Sequence, residues 1–313
     1  MMKDVWFGIH VPPEGRDFQE MQRICQVVEQ NGFDLFTITD YLMNMRNPTD
    51  HGNHPLECWT TLAGLAAVTS RIKLAPLVSC YGYRRPTILA KMATTVDIIS
   101  KGRLVFGIGA GWHEAEFNGF MGRFPPARER LRGLRETIKI CTNMFTNERT
   151  THNGSLYQVD NVLNSPQPIQ KPIPIMIGGG GEKVTLKIAA RYADISHFFT
   201  NNVDTLTHKL AVLENHCNNV GRNYHEIRKG TSMDLLIGNT KAEAEQKLKQ
   251  RTKTLGTTQT AVRTRLGAGF GTPGMITEAI MEYINRGIGL ITFRFTGVDN
   301  ISLFSEKVLP RFR

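Results

Sequence analysis

The sequence predicts an α/β fold: a (β/α)8 TIM barrel forming one domain over residues 1–313, with an insertion between strands 4 and 5. Three observations predict it. Short apolar runs alternate with amphipathic helical stretches from end to end, which argues for a parallel sheet. Eight strand-like runs each precede a helix, and eight is the count that closes a barrel. The competing open sheet needs a G-x-G-x-x-G turn after its first strand with an acid ~20 residues on, and that turn is missing. The chain has 313 residues, 41% of them hydrophobic, which is ample for one large core.

Residues 5–11 form the first strand, bounded by Pro12, Pro13 and Gly15. Asp17 caps a helix with Phe18, Met21, Cys25 and Val28 on one face, and Asn31-Gly32 stops it. Residues 35–39 give strand two, a loop covers 40–54, and a helix covers 56–69. Strand three spans 73–79, and Pro86 opens a helix that turns Leu89, Met92, Val96 and Ile99 inward. Strand four is 103–110. A strongly amphipathic helix follows, marked by Leu131, Leu134, Ile138, Cys141 and Phe145. The rhythm breaks over 147–172, a polar and then proline-punctuated insertion with a small hairpin around Asn153-Gly154. Strand five (174–177) runs into Gly178 and a helix over 184–192. Strand six is 194–199, and Leu206, Leu210, Leu213, Cys217 and Val220 mark the next helix. Strand seven is 230–237, a charged helix covers 241–255, and Thr272-Pro273 starts another that ends at Gly287. Strand eight is 290–295, and a helix over 301–309 closes the chain.

The formal charge of +10 invites a nucleic-acid or anionic partner. Its densest clusters are Arg123, Arg128, Arg130, Arg132 and Arg135, and Lys247, Lys249, Arg251 and Lys253. Both lie on expected helices without the interleaved aromatics of a single-strand binder, so they read as solvated faces and no nucleic acid is expected. No apolar run approaches ~20 residues, and the start lacks a long apolar signal region, so no membrane segment is expected. Scattered cysteines without a CxxC pair argue against a disulfide framework or zinc site, and suit the cytoplasm.

Barrels carry their chemistry where strands end and βα loops begin. That rule selects His10, Asp40-Tyr41, Ser79-Cys80-Tyr81, the stretch from Gly109 to His113, Gly178 to Gly181, His197, Asp234 and Arg294. The sharpest signal is Gly178-Gly179-Gly180-Gly181-Glu182, which joins a strand to a helix start. Glycines let backbone approach a ligand closely, and helix-start N–H groups favour phosphate. No Lys-Ser/Thr pair follows, so this is no Walker loop. The second signal is Gly107, Gly109 and Gly111 at alternate positions, leaving an open floor after strand four for a flat ring. Trp112 walls that floor, with His113, Glu114 or Glu116 near for proton transfer. Metal ligation by these last three is disfavoured by their spacing, and no metal is expected.

Three stretches carry a family resemblance: from Tyr83-Arg84-Arg85-Pro86 through Lys101-Gly102-Arg103-Leu104; from Gly107 to Trp112 with Glu116-Phe117; and from Ile177 to Thr185 with Ala190-Arg191-Tyr192-Ala193-Asp194. Together they resemble the luciferase-like oxidoreductase family, in particular its branch that uses the deazaflavin coenzyme F420. The resemblance implies that a cofactor phosphate sits on Gly178, Gly179, Gly180 and Gly181 near Thr185. It implies a ring over the ends of strands one to four, touching Asp40, Ser79, Cys80, Gly109 and Trp112. It also implies a non-proline cis peptide at Ser79-Cys80, and a homodimer. Many members carry Asp-His after strand two, where this chain has Asp40-Tyr41. The glutamate that sugar-phosphate-oxidising members carry after strand four is Trp112 here.

The expected activity is hydride transfer between F420 and a small organic substrate. His10, Tyr41 and His113 are the candidates to handle the proton, and 40–54 and 147–172 the segments that shape the substrate side. A rim of Arg84, Arg85, Arg123 and Arg128 would suit the acidic tail of F420. An FMN-dependent monooxygenase using O2 is the alternative, and a non-catalytic flavin-binding member is the third reading.

Overall fold

A computed structural model describes residues 5–45, 52–295 and 297–313. Within the expected 40–54 loop, residues 46–51 lie outside the described residues, as do the first four of the chain.

The first half alternates β1 (Trp6–His10), α1 (Phe18–Gln30), β2 (Leu35–Ile38), α2 (Cys58–Ala67), β3 (Lys73–Pro76), β4 (Ser79–Cys80), α3 (Pro86–Ser100) and β5 (Phe106–Gly109). An excursion follows through α4 (Glu114–Met121), α5 (Ala127–Thr146) and the hairpin β6 (Arg149–Asn153) and β7 (Gln158–Leu163). The second half runs β8 (Ile175–Gly178), α6 (Thr185–Tyr192), β9 (Ile195–Phe198), α7 (Val203–Val220), β10 (Arg228–Ile237), α8 (Lys241–Leu255), α9 (Gln259–Leu266), β11 (Phe270–Gly271), α10 (Pro273–Asn285), β12 (Ile288–Phe295) and α11 (Val298–Lys307).

The main sheet orders its strands β3-β2-β1-β12-β10-β9-β8-β5-β4, all parallel. Because β3 and β4 are two halves of one barrel strand, this path closes on itself. A parallel bridge between Leu74 and Leu104 completes the seam, with Leu74 N–H donating to Arg103 and Val105 N–H to Leu74. The barrel and insertion therefore match the sequence expectation. The strands read as near-continuous apolar runs because helices cover the sheet.

Local sequence explains the element ends. Asp17 accepts the Glu20 N–H at 2.8 Å and starts α1. Pro86 sits in the first turn of α3, where its missing N–H costs nothing. Arg103 locks the bottom of the seam by donating to the carbonyls of Ala66, Thr69 and Ile72. In the insertion, Glu136 of α5 accepts the N–H groups of Ser155, Leu156 and Tyr157 and so fixes the hairpin turn.

Four expectations need correction. The third strand is not continuous over 73–79: it breaks at Leu77-Val78 and resumes at Ser79. The non-proline cis peptide lies in that break, not at Ser79-Cys80, whose residues are committed to the ladder with Ile108 and Gly109. On α3, Ile99 is exposed and Met92 only half-buried. The inward face instead carries Asp97, which accepts the N–H groups of Ile169 and Gln170 and draws the end of the insertion onto the helix. Finally, α9 and β11 were not foreseen. Only Val262 and Leu266 of α9 are buried, too few apolar residues to show a helical period.

No described helix is long and apolar enough to cross a membrane. The densest arginine cluster is engaged locally: Arg123 pairs with Glu129, Arg130 stacks on Phe124, and Arg132 donates to Ser155.

At the seam, a Cβ on Gly107 would sit 1.9 Å from the Pro76 carbonyl oxygen, and backbone cannot yield cheaply. Gly107→Ala is expected to lose about 3 kcal/mol in denaturant unfolding. Gly274→Ala on α10, where a Cβ meets nothing within 4 Å, is expected to be neutral or slightly stabilising.

Candidate active site at the barrel mouth

The C-terminal strand ends surround one open cavity of about 1140 Å³, larger than the roughly 300–1,000 Å³ usual for a single small-molecule site. His10, Asp40, Tyr41, Ser79, Cys80, Gly109, Trp112, His113, Gly178, Gly179 and Thr185 all line it. Gly180 and Gly181 are not on its wall, and Gly181 is exposed.

The corner is built for a ligand without side-chain intrusion. Gly179 has φ +130°, a conformation only glycine adopts readily. A Cβ on Gly178 would stand 2.8 Å from Val78, and one on Gly109 equally close to the same side chain. The corner leads directly into α6, whose cap residue Val184 offers no side-chain bond, and Thr185 faces the cavity. Thr39, also on the wall, has a buried hydroxyl with no partner among the described residues. Trp112 and Phe199 line the mouth while 60% and 56% exposed. These features fit a cofactor with a phosphate and a planar ring.

The floor is held by a buried carboxylate. Asp40 accepts from the Ser79 hydroxyl at 2.7 Å, the Cys80 N–H at 3.2 Å and both terminal nitrogens of Arg84 at 2.8 and 2.9 Å. Trp59 donates its indole N–H to Ser79, and Arg84 reaches on to Glu57, the N-cap of α2. Burial pushes the Asp40 carboxyl up, against the opposing pull of Arg84, which is itself raised by its two carboxylates. The fork-shaped pair with Arg84 and the bonds from Ser79 and Cys80 oppose that effect of burial.

Glu116 has a structural role that its sequence position concealed. Fully buried, it accepts the N–H groups of Leu42 and Met43 and the Tyr83 hydroxyl, and meets His113 Nδ1 at 3.4 Å. It thus pins the loop after β2 to the start of α4. Glu114 is exposed and lies off the cavity. Among the described residues no three His, Cys, Asp or Glu side chains gather as a metal ion requires.

Of the proton candidates, Tyr41 packs edge-on to Trp112 and His113 at centroid distances of 6.4 and 6.5 Å, and burial raises its pKa. His10 hydrogen-bonds Thr37 at 2.9 Å. Burial, then Arg294 and His197, push its pKa down to about 3. His197, fully buried and not on the cavity wall, is bonded to Thr292, and burial brings it too to about 3. Both imidazoles are neutral at pH 7.

Comparison with known proteins bears on this geometry. The family model described as luciferase-like monooxygenase matches residues 5–269. The chain belongs to the luciferase-like monooxygenase family. The sequence expectation of an oxidoreductase of this family agrees with that membership. A pyrimidine monooxygenase of Yersinia enterocolitica is 32% identical over 193 residues, covering 61% of this chain and 52% of the relative. The chain thus spans about half the length of the curated relatives it matches. An F420-dependent tetrahydromethanopterin reductase from Methanopyrus kandleri superposes with TM-score 0.81 at 21% identity, over 99% of this chain and all of that one. An EDTA monooxygenase from Chelativorans superposes with TM-score 0.83 at 15% identity, over 99% and 93%. At such identities these structures establish the fold.

The expected cationic rim is not where it was placed. Arg84 is turned inward to Asp40 and Glu57, Arg123 is paired with Glu129, and Arg85 and Arg128 do not reach the cavity. The arginines on its wall are Arg16, Arg23, Arg251, Arg265 and Arg294. Sequence reasoning missed Arg251 and Arg265 as site residues because α8 reads as a charged surface helix and α9 has almost no apolar signal.

Removing Arg84 strands a buried carboxylate. Arg84→Met is expected to cost about 3–5 kcal/mol in urea unfolding, and Arg85→Met, on an exposed neighbour, under about 0.5. The two depressed histidines bind protons only when the chain unfolds, so their contribution to stability is constant above pH 6.5 and falls toward pH 3. Each contributes about 1.4 kcal/mol per pH unit within that window. His197→Asn is expected to flatten the stability profile between pH 6 and 4 by about that slope.

Proposed function

We propose that this chain is a flavin-dependent monooxygenase that uses reduced FMN and molecular oxygen to oxygenate a small organic substrate. The observation that carries the reading is the cavity that joins the Gly179 and Thr185 corner to the Trp112 wall. Bound reduced FMN supplies two electrons, so that one atom of O2 enters the substrate and the other leaves as water.

The chain's own residues bind and orient. The Gly179 backbone and the Thr185 hydroxyl take the phosphate at the start of α6. Ser79 and Cys80, fixed by Asp40, and Gly109 form the floor under the ring. Trp112 and Phe199 screen the mouth from water. Neutral His10 offers a hydrogen bond without charge, and the Tyr41 hydroxyl is a second donor on the same cavity wall.

FMN is favoured over F420 because the curated relatives this chain matches bear the name pyrimidine monooxygenase, which speaks for oxygenation over hydride transfer. A non-catalytic role calls for a cleft filled by its own side chains, and the open mouth counts against it.

Titration with FMN and F420 side by side tests the reading. FMN is expected to bind in the micromolar range, and reduced FMN to consume O2 when a substrate is added. Binding of F420 alone, with its bleaching on substrate addition, would overturn it. Gly179→Ala is expected to weaken FMN at least tenfold, about 1.4 kcal/mol. Gly180→Ala, whose Cβ meets only ordinary contacts with Lys209, is expected to change little.

A further inference from the structure

We infer that the substrate taken by this mouth is an organic anion, a carboxylate or phosphonate, anchored by Arg265 and Arg294. This rests on the monooxygenase reading and adds the substrate class to it.

Arg294 stands at the end of β12 and Arg265 on α9, with Arg251 of α8 beside them on the cavity wall. Arg265 Nε meets Asp234 Oδ2 at 2.8 Å, and Arg294 Nε meets Oδ1 at 2.6 Å. Two guanidiniums therefore share one carboxylate, and the pair carries one charge more than Asp234 neutralises. Both arginine side chains are 43% exposed toward the opening, while Asp234 is buried behind them. The carboxylate fixes the two forks; it does not consume them.

A second observation locates the guest. Asp234, Arg251, Arg265 and Arg294 also border a separate recess of about 170 Å³, closed behind by Thr257, Ala261, Val262 and Leu266. It shares that wall and is too small for the fused ring system of a flavin. It suits a compact anionic head group, bound in the bidentate manner of guanidinium and carboxylate.

Barrel order gives the direction. Counting around the closed sheet, β12 lies opposite β5 and β10 opposite β4. The arginines thus face, across the mouth, the floor at Ser79, Cys80, Gly109 and Trp112. A molecule anchored by its anionic end in the recess extends toward the surface where the flavin ring is proposed to lie. A neutral analogue leaves the excess charge unanswered, so the site selects by charge first.

The probes are hexanoate and hexanamide, alike in length and different in charge, titrated calorimetrically into FMN-loaded protein. Hexanoate is expected to bind at least tenfold more tightly than hexanamide. Arg265→Gln with Arg294→Gln is expected to abolish that ratio while leaving FMN affinity unchanged. Asp234→Asn, which removes the competing carboxylate and keeps both arginines, is expected to tighten hexanoate and not hexanamide. That gain guards against a loss caused only by misfolding. Equal affinities in the wild type, absence of binding by either probe, or a ratio that survives the double substitution would overturn the proposal. So would loss of FMN affinity in the folded double variant, which would assign the arginines to the cofactor phosphate. If FMN fails to load at all, the monooxygenase reading falls, and the hexanoate-to-hexanamide ratio in the unloaded protein still decides the anion site.

Discussion

The buried carboxylate of Asp40 is the contact on which the mouth of this barrel depends. It receives a hydroxyl, a backbone N–H and a full guanidinium fork from Ser79, Cys80 and Arg84, all in the stretch from β4 to the start of α3. Through Arg84 and Glu57 the same network reaches the start of α2, and through Ser79 it reaches Trp59 within that helix. The end of β2, the resumed β4 and two helix starts are therefore positioned by one charge. Such an arrangement is costly to break and geometrically exact in what it specifies, which is what a floor for a planar ligand needs.

Glycine does the complementary work on the other side. Where Asp40 fixes side chains, Gly107, Gly109, Gly178 and Gly179 remove them, so that strands and corner approach one another and leave space above. Oriented polar contacts on one flank and bare backbone on the other give a cavity with a defined floor, an anion-friendly corner and an arginine-lined far wall. The family relationship places this design among luciferase-like monooxygenases. The far wall is the part of the design on which the proposed choice of substrate rests.

Much of this was legible in the sequence, for identifiable reasons. The barrel followed from strand and helix periods because helices with faces such as Leu134, Ile138, Cys141 and Phe145 repeat after every apolar run. The cavity lining followed from a rule of position: residues at strand ends, from His10 to Gly178, converge because a parallel barrel sends every C-terminal end to one face; Thr185 came only from the family resemblance. What stayed hidden depends on three-dimensional pairing. Glu116 looks like a proton carrier beside His113, yet it holds the backbone of Leu42 and Met43. Arg84 looks like a surface cation, yet it is the partner of Asp40. Arg265 sits on a helix whose few buried residues leave no period to read.

The central claim is that the cofactor phosphate rests at the Gly179 and Thr185 corner with the ring toward Trp112. A crystal structure of the FMN complex tests it most directly. The account predicts phosphate oxygens within hydrogen-bond distance of the Gly179 N–H or the Thr185 hydroxyl, and the ring over Ser79, Cys80 and Gly109. A phosphate lodged instead against Arg265 and Arg294, with the corner facing only water, would contradict it.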